Sequence, residues 1–169
     1  WVRRANMLAL IAACAGCVDN TGTVDKYDPA RMDFKSPPAK VTSERHTGPF
    51  ASGTALNPVP GLKPVEQGDV KTIQLDTTHK IIELAPGVKF SAWTFGDHVP
   101  GPTIRARVGD RIRFSMTNRS DEPVPGVQIM APPMMHSMDF HAAMVSPQDK
   151  YRSIAPGQTI SFEFTLNYP

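Results

Sequence analysis

The stretch Thr103-Ile104-Arg105-Ala106-Arg107-Val108-Gly109-Asp110-Arg111-Ile112-Arg113-Phe114-Ser115-Met116-Thr117-Asn118 alternates apolar and polar residues on both sides of a glycine. Such alternation is typical of strands that bury one face. Apolar residues at 104, 106 and 108 mark one face of a first predicted strand, and Gly109-Asp110 predicts a tight turn into a second strand. The stretch therefore favours a sheet with one face toward a core.

The same two-residue period recurs on either side of this stretch. It predicts strands over residues 70–75, 80–84, 88–95 and 159–166, with a turn at Ala85-Pro86-Gly87. The chain has 17 prolines and 12 glycines among 169 residues and few helix-favouring runs. Many short strands divided by Gly/Pro turns predict an all-β fold, a Greek-key β-sandwich.

Charge excludes one class of function. The 18 basic and 16 acidic residues give a net charge of +2, and two of the arginines lie near the N-terminus. A nucleic-acid-binding protein needs a clustered basic face, which the sequence does not show. We therefore expect no nucleic-acid partner.

Residues 1–17 have the parts of a secretory signal peptide. Two arginines precede a short apolar run that is too short to span a bilayer as a mature helix. The run ends in Cys14-Ala15-Gly16-Cys17 and is similar to a bacterial lipoprotein signal, with Cys14 or Cys17 as the lipidated residue; an ordinary signal with incidental cysteines is the alternative. We expect export to the periplasm or cell envelope, with membrane attachment only through this lipid anchor.

Residues 18–68 are polar and rich in proline, with little apolar periodicity. Such a segment buries too little apolar surface to offset the entropy of ordering, so it predicts a disordered, flexible linker in which His46 is solvated. The folded domain is then residues 69–169. Because the sequence begins at Trp1 and stops just after an alternating run, we expect a piece of a longer protein with this domain incomplete at its C-terminal end.

The motif His136-Ser137-Met138-Asp139-Phe140-His141 carries the residue types of a metal site. In an extended chain His136 and His141 point to opposite faces, whereas Asp139 shares a face with His141. The motif therefore indicates two separate sites, with Asp139 beside the second. A histidine in a strand is more commonly a hydrogen-bonded structural residue, and an aspartate can cap a turn. His79 and His98 are expected to be structural or solvated.

Four segments in order carry a family resemblance: residues 90–96 (FSAWTFG), residues 99–104 (VPGPTI), Val108-Gly109-Asp110 and the histidine motif. From about residue 70 to residue 169 the chain resembles the first cupredoxin domain of copper-containing nitrite reductases and related multicopper oxidases. Laccase-type first domains usually present a His-x-His pair instead. The resemblance implies a cupredoxin-like β-sandwich.

The resemblance also implies roles for the motif. His136 would bind type 1 copper, His141 would bind type 2 copper, and Asp139 would be the catalytic acid that gives a proton to nitrite. Electrons would come from a small redox protein, and the full-length protein would be a homotrimer. The remaining family ligands lie downstream of Pro169 or in another domain. Residues 144–150 replace the glycine-rich loop of a standard nitrite reductase, so two alternatives stay open: a non-catalytic cupredoxin that transfers electrons or holds copper, and an oxygen-reducing multicopper oxidase.

Overall fold

Strands make up the regular structure in this computed structural model. It describes residues 36–48, 50–53, 56–57, 64–65, 67–124, 133–140, 143–146 and 150–167. The strands in these ranges are β1 (Lys40–Thr42), β2 (Ala51–Ser52), β3 (Leu56–Asn57), β4 (Val70–Leu75), β5 (Thr77–Ala85), β6 (Val88–Phe95), β7 (Thr103–Ile104), β8 (Arg111–Thr117) and β9 (Thr159–Thr165). All described residues belong to a compact unit, Met32–Pro169.

The main sheet has five strands in the order β1-β9-β8-β4-β2. Strand β8 lies at its centre, antiparallel to β9 and parallel to β4. Alternate residues of these three strands point to one side and are buried there: Ile73, Leu75, Ile112, Phe114, Met116, Ile160, Phe162 and Phe164. Burying a large apolar side chain contributes roughly 1.5–3 kcal/mol, so this face is the main source of stability.

The all-β prediction is confirmed, and five of the predicted strands form within a few residues of the expected bounds. The predicted strand over 103–108 is wrong beyond its first two residues. Ile104 and Val108 are 37 % and 54 % exposed, so their alternation does not mark a buried face. Strand β8 already pairs with β4 and β9, which leaves it no edge for a hairpin with this segment.

Some residues of the flexible linker predicted for 18–68 are paired with the rest of the described fold. Strand β1 pairs with β9 and β2 pairs with β4. The buried Lys150 ammonium donates to the carbonyl oxygens of Ser36 at 2.8 Å and Pro37 at 2.7 Å. Composition had suggested disorder because the segment has few apolar residues, but main-chain pairing and charged contacts attach it instead.

His46, expected to be solvated, is also attached. Its Nδ1 lies 2.8 Å from a carboxylate oxygen of Asp76, which is completely buried. Asp76 also accepts the Thr117 amide at 2.9 Å and pairs with Arg119 at 3.4 Å. Nearby, Arg45 bonds Asp121 at 2.7 Å. The prediction missed these contacts because each one joins residues far apart in sequence.

Strands β5 and β6 form a separate antiparallel hairpin, and its register places His79 directly opposite Trp93. The predicted turn at residues 85–87 connects the two strands, and Gly87 has a φ of 77°, a backbone conformation that favours glycine. No described segment forms a helix that is long and apolar enough to cross a lipid bilayer. The hairpin carries one side of the candidate site.

Candidate metal centre

His136 is fixed by main-chain pairing with Ile154. The His136 amide donates to the Ile154 carbonyl oxygen at 3.1 Å, and the Ile154 amide donates to the His136 carbonyl oxygen at 2.8 Å. Ile154 is completely buried and belongs to the core. The backbone that carries the imidazole is therefore anchored to a residue that cannot shift without disturbing core packing.

Asn118 holds one partner of this pairing, Ile154, and the nearby Met134. Its side-chain amide donates to the carbonyl oxygens of Met134 at 2.7 Å and Ile154 at 2.9 Å. Its own oxygen accepts bonds from the Thr77 hydroxyl at 3.3 Å and the Ser120 amide at 3.1 Å. Sequence reasoning missed this buried residue, although a polar side chain that ends an alternating strand is a signal that could have singled it out.

The residues after His136 alternate as the motif predicted, although none of them forms a strand. Phe140 contacts the core rings of Phe114 and Phe164 at centroid distances of 4.9 and 5.0 Å. Met138 also packs against the core, whereas Asp139 between them is exposed. The Asp139 side chain is therefore accessible to water.

The His136 ring belongs to a group of three rings, here called the imidazole cluster: His79, Trp93 and His136. The Trp93 ring meets His136 in an edge-to-face contact at 5.4 Å and stacks on His79 at 5.8 Å with 16° between the planes. Trp93 is 51 % exposed, while His79 is only 7 % exposed. The cluster therefore places a buried imidazole, that of His79, against a ring that is half exposed to solvent, that of Trp93.

Unpaired nitrogens distinguish this cluster. Both ring nitrogens of His79 and Nε2 of His136 are buried without a hydrogen-bond partner, and they are the only side-chain nitrogens in this condition among the described residues. The remaining such atom is the Ser146 hydroxyl oxygen. A buried polar atom without a partner costs roughly 1–3 kcal/mol, so three of them in one cluster indicate a place where something else completes the bonding.

Burial also sets the protonation of the cluster. Loss of hydration lowers the pKa of His79 below its ordinary value of 6.5. The pKa of His136 is lowered first by burial and further by the charge on His79. Both imidazoles are therefore neutral at neutral pH. Neutral imidazole is the form that binds metal ions, since its bare nitrogen carries the lone pair.

The structure places only some of the predicted site residues. His136 and Asp139 are described, whereas His141, Cys14 and Cys17 lie outside the described residues. His98, expected to be structural or solvated, is exposed and forms a β-bridge with Phe95. Within the described ranges, no three His, Cys, Asp or Glu side chains come together as a metal site.

The comparison with protein families decides the classification. The sequence profile described as "Multicopper oxidase" matches residues 76–169, which is more than half of the chain. The chain belongs to the multicopper oxidase family. This membership, together with the described sheets, confirms the predicted cupredoxin-like β-sandwich.

Individual members of the multicopper oxidase family show similarity over part of their length. A copper-containing nitrite reductase from Neisseria meningitidis is 32 % identical over 98 residues, 57 % of this chain and 23 % of that protein. The multicopper oxidase MmcO from Mycobacterium tuberculosis is 32 % identical over 79 residues, 47 % of this chain and 14 % of that protein. A copper-containing nitrite reductase from Pseudomonas chlororaphis is 23 % identical over 159 residues, which are 92 % of this chain and 36 % of that protein.

The chain thus spans about a quarter of the length of the Neisseria relative. For a multicopper oxidase, the described residues fit one part of a metal site. His136 offers a neutral, half-buried imidazole on a fixed backbone, beside buried nitrogens that lack partners. Imidazole suits copper among the first-row metals.

Proposed function

We propose that the chain is part of a copper-dependent nitrite reductase that converts nitrite to nitric oxide. His136 would hold type 1 copper, His141 would hold type 2 copper, and Asp139 would supply protons. The observation that carries the proposal is a contrast within the motif: His136 is half-buried on an anchored backbone, whereas Asp139, three residues later, is exposed. Relatives named as copper-containing nitrite reductases support the choice of reaction.

The reaction consumes one electron and two protons per nitrite and releases nitric oxide and water. Bound copper supplies the one-electron chemistry and a position for the substrate. The chain's own contribution is proton delivery and placement. An exposed carboxyl group such as Asp139 can give a proton to a nitrite oxygen and regain one from water, because it is in contact with solvent.

The anchored backbone serves the electron-accepting site. The pairing with Ile154 and the two bonds from Asn118 fix the backbone that carries the His136 imidazole. A metal ligand that does not move between oxidation states reduces the rearrangement that accompanies electron transfer. This is the arrangement that a type 1 site requires.

Partners and location follow as part of the same proposal. The electron donor is a small redox protein and the complete protein is a homotrimer, as the family resemblance implies. The leader would export the chain to the periplasm or cell envelope, with a lipid on Cys14 or Cys17. Metabolic labelling with a fatty-acid analogue tests the anchor: the label should be lost from a Cys14→Ser or a Cys17→Ser variant, and labelling of neither cysteine would contradict it.

A second candidate is an oxygen-reducing multicopper oxidase. It is favoured by the similarity to the M. tuberculosis multicopper oxidase, whose identity of 32 % equals that of the Neisseria nitrite reductase. The two candidates differ in substrate. They are separated by supplying the complete, copper-loaded protein with an electron donor and measuring nitric oxide release under nitrogen and oxygen consumption in air.

Asp139→Asn tests the proposed mechanism in the complete protein. We expect nitrite reduction to fall about 100-fold or more, because a general acid contributes roughly 10²–10⁴-fold, while the visible absorption of the copper is unchanged. Asp69→Asn, which removes another exposed carboxylate, is the matched control and should retain activity. Unchanged turnover in the Asp139 variant would remove this residue from the mechanism.

A further inference from the structure

His79 is the residue that the proposed mechanism leaves unused. It lies on β5, outside the histidine motif, and is almost completely buried. Neither of its ring nitrogens has a hydrogen-bond partner, although buried polar groups in folded proteins are nearly always paired. A phenylalanine or leucine would fill the same position under Trp93 without that penalty. The imidazole therefore calls for an explanation beyond packing.

The partner that His79 lacks is also lacking at His136. Nε2 of His136 is the other unpaired buried nitrogen of the imidazole cluster, and both rings pack on the indole of Trp93. A neutral imidazole has one N–H donor and one bare nitrogen that accepts. Trp93 cannot take the His136 proton, because an indole nitrogen only donates. His79 can take it.

We propose that His79 is a positioning residue for the copper ligand His136: it accepts the Nε2 proton of His136 through one bridging water, because the two rings are not in direct hydrogen-bond contact, and leaves Nδ1 free for the metal. The inference rests on the proposed copper site at His136. Metal-binding histidines almost always donate their second ring N–H to a fixed acceptor, which selects the tautomer and the ring orientation. Such a water would have two polar partners, Nε2 of His136 and one nitrogen of His79, which is the minimum that a buried water needs.

The other polar groups near His136 are already occupied. Its carbonyl oxygen and that of Ile154 accept bonds from each other's amides. The hydroxyl of the neighbouring Ser137 donates to the Tyr151 hydroxyl at 3.2 Å. Among the described residues, His79 is therefore the side chain of the cluster with a nitrogen still able to accept.

The test uses the complete protein with His79→Phe, which keeps a flat ring against Trp93 but cannot accept a proton. In the copper-free protein, nitrogen-15 NMR of the imidazoles should show His136 as one tautomer protonated at Nε2, and as a mixture of tautomers in the variant. After copper loading, the variant should bind copper about 10- to 100-fold more weakly and show a shifted blue absorption band and a shifted reduction potential.

Two further variants make the result specific. His79→Gln restores an acceptor and should recover most of the single tautomer and of the copper affinity. His98→Phe removes an exposed histidine elsewhere and should change neither. A single Nε2-protonated tautomer together with unchanged affinity, absorption and potential in His79→Phe would overturn the inference while leaving the copper site intact. Absence of blue absorption in the unaltered protein would overturn the copper proposal itself, and this inference with it.

Discussion

The apolar face of the main sheet and the imidazole cluster differ in what they bury: the first buries apolar rings, and the second buries nitrogens without partners. On the sheet, Phe114 and its neighbours are buried, apolar and in ring-to-ring contact at about 5 to 6 Å. In the cluster, rings of similar size hold three buried nitrogens without partners. Packing on the sheet raises stability, whereas the cluster lowers it. Locally unfavourable arrangements of this kind are expected where a protein binds or reacts.

The largest expected effect on stability comes from removing a core ring from the main sheet. Phe114→Ala removes a ring that contacts both Phe140 and Phe162, and should lower the free energy of unfolding by about 3–5 kcal/mol. Urea unfolding measures the change. Ser115→Ala, the next residue on the opposite face of β8, is the control and should change it by less than about 0.5 kcal/mol. Equal losses in the two variants would contradict the assignment of the core face.

Asn118 follows β8 of the main sheet and bonds the backbone near His136. Its replacement should therefore affect both stability and the candidate metal site. Asn118→Ala leaves the Met134 and Ile154 carbonyl oxygens without their side-chain donor, and we expect a loss of about 2–3 kcal/mol together with weaker copper binding. Gln67→Ala, which removes an exposed amide, should alter neither quantity. Lower stability with unchanged copper affinity would show that Asn118 supports the fold alone.

His79→Phe should have a much smaller effect on stability. The apolar ring removes two buried nitrogens but leaves Nε2 of His136 without its proposed acceptor, so the two effects oppose each other and the copper-free protein should change by less than about 1 kcal/mol. Thermal and urea unfolding of the copper-free variant measure this. A loss as large as that of Phe114→Ala would mean that the cluster is ordinary core.

The smallest expected effect lies at the attachment of residues 36–48. The hydrogen bond from Arg45 lowers the pKa of Asp121 below its ordinary value of 3.8, with burial acting against it. Because the folded-state pKa is the lower one, the stabilisation is present above pH 3.8 and is lost as the pH falls through the folded-state value.

A pH series of urea midpoints for the unaltered protein and an Arg45→Gln variant checks this. The difference should be small at neutral pH, under about 1 kcal/mol for partly exposed pairs, and should close at acid pH. A difference that persists in acid would mean that Arg45 acts through packing rather than through its charge.

The sequence was most informative where one period ran for several residues. Strands β4, β6, β8 and β9 were predicted because alternation reports a buried face directly. The segment 103–108 has the same alternation and does not form a full strand, since pairing depends on which strand edges remain available. Likewise, Arg45, His46 and Lys150 attach the linker through partners that are distant in sequence.

The sequence likewise predicted only some of the residues of the candidate site. His136 and Asp139 were proposed from the sequence because the motif residues lie close together in the chain, and their roles stay predictions. His79 and Asn118 were missed as site residues because their importance comes from partners they meet only in the fold: Trp93 across the hairpin and two carbonyl oxygens beside His136. No local pattern reports such contacts.

The central claim is that His136 and His141 serve two different copper sites, and spectroscopy of the complete protein tests it directly. Visible absorption and electron paramagnetic resonance, with copper content, would be measured for His136→Ala and His141→Ala. We expect His136→Ala to lose the blue absorption and to retain the second copper signal, and His141→Ala to show the reverse. Loss of both signals together in either variant would contradict the division into two sites.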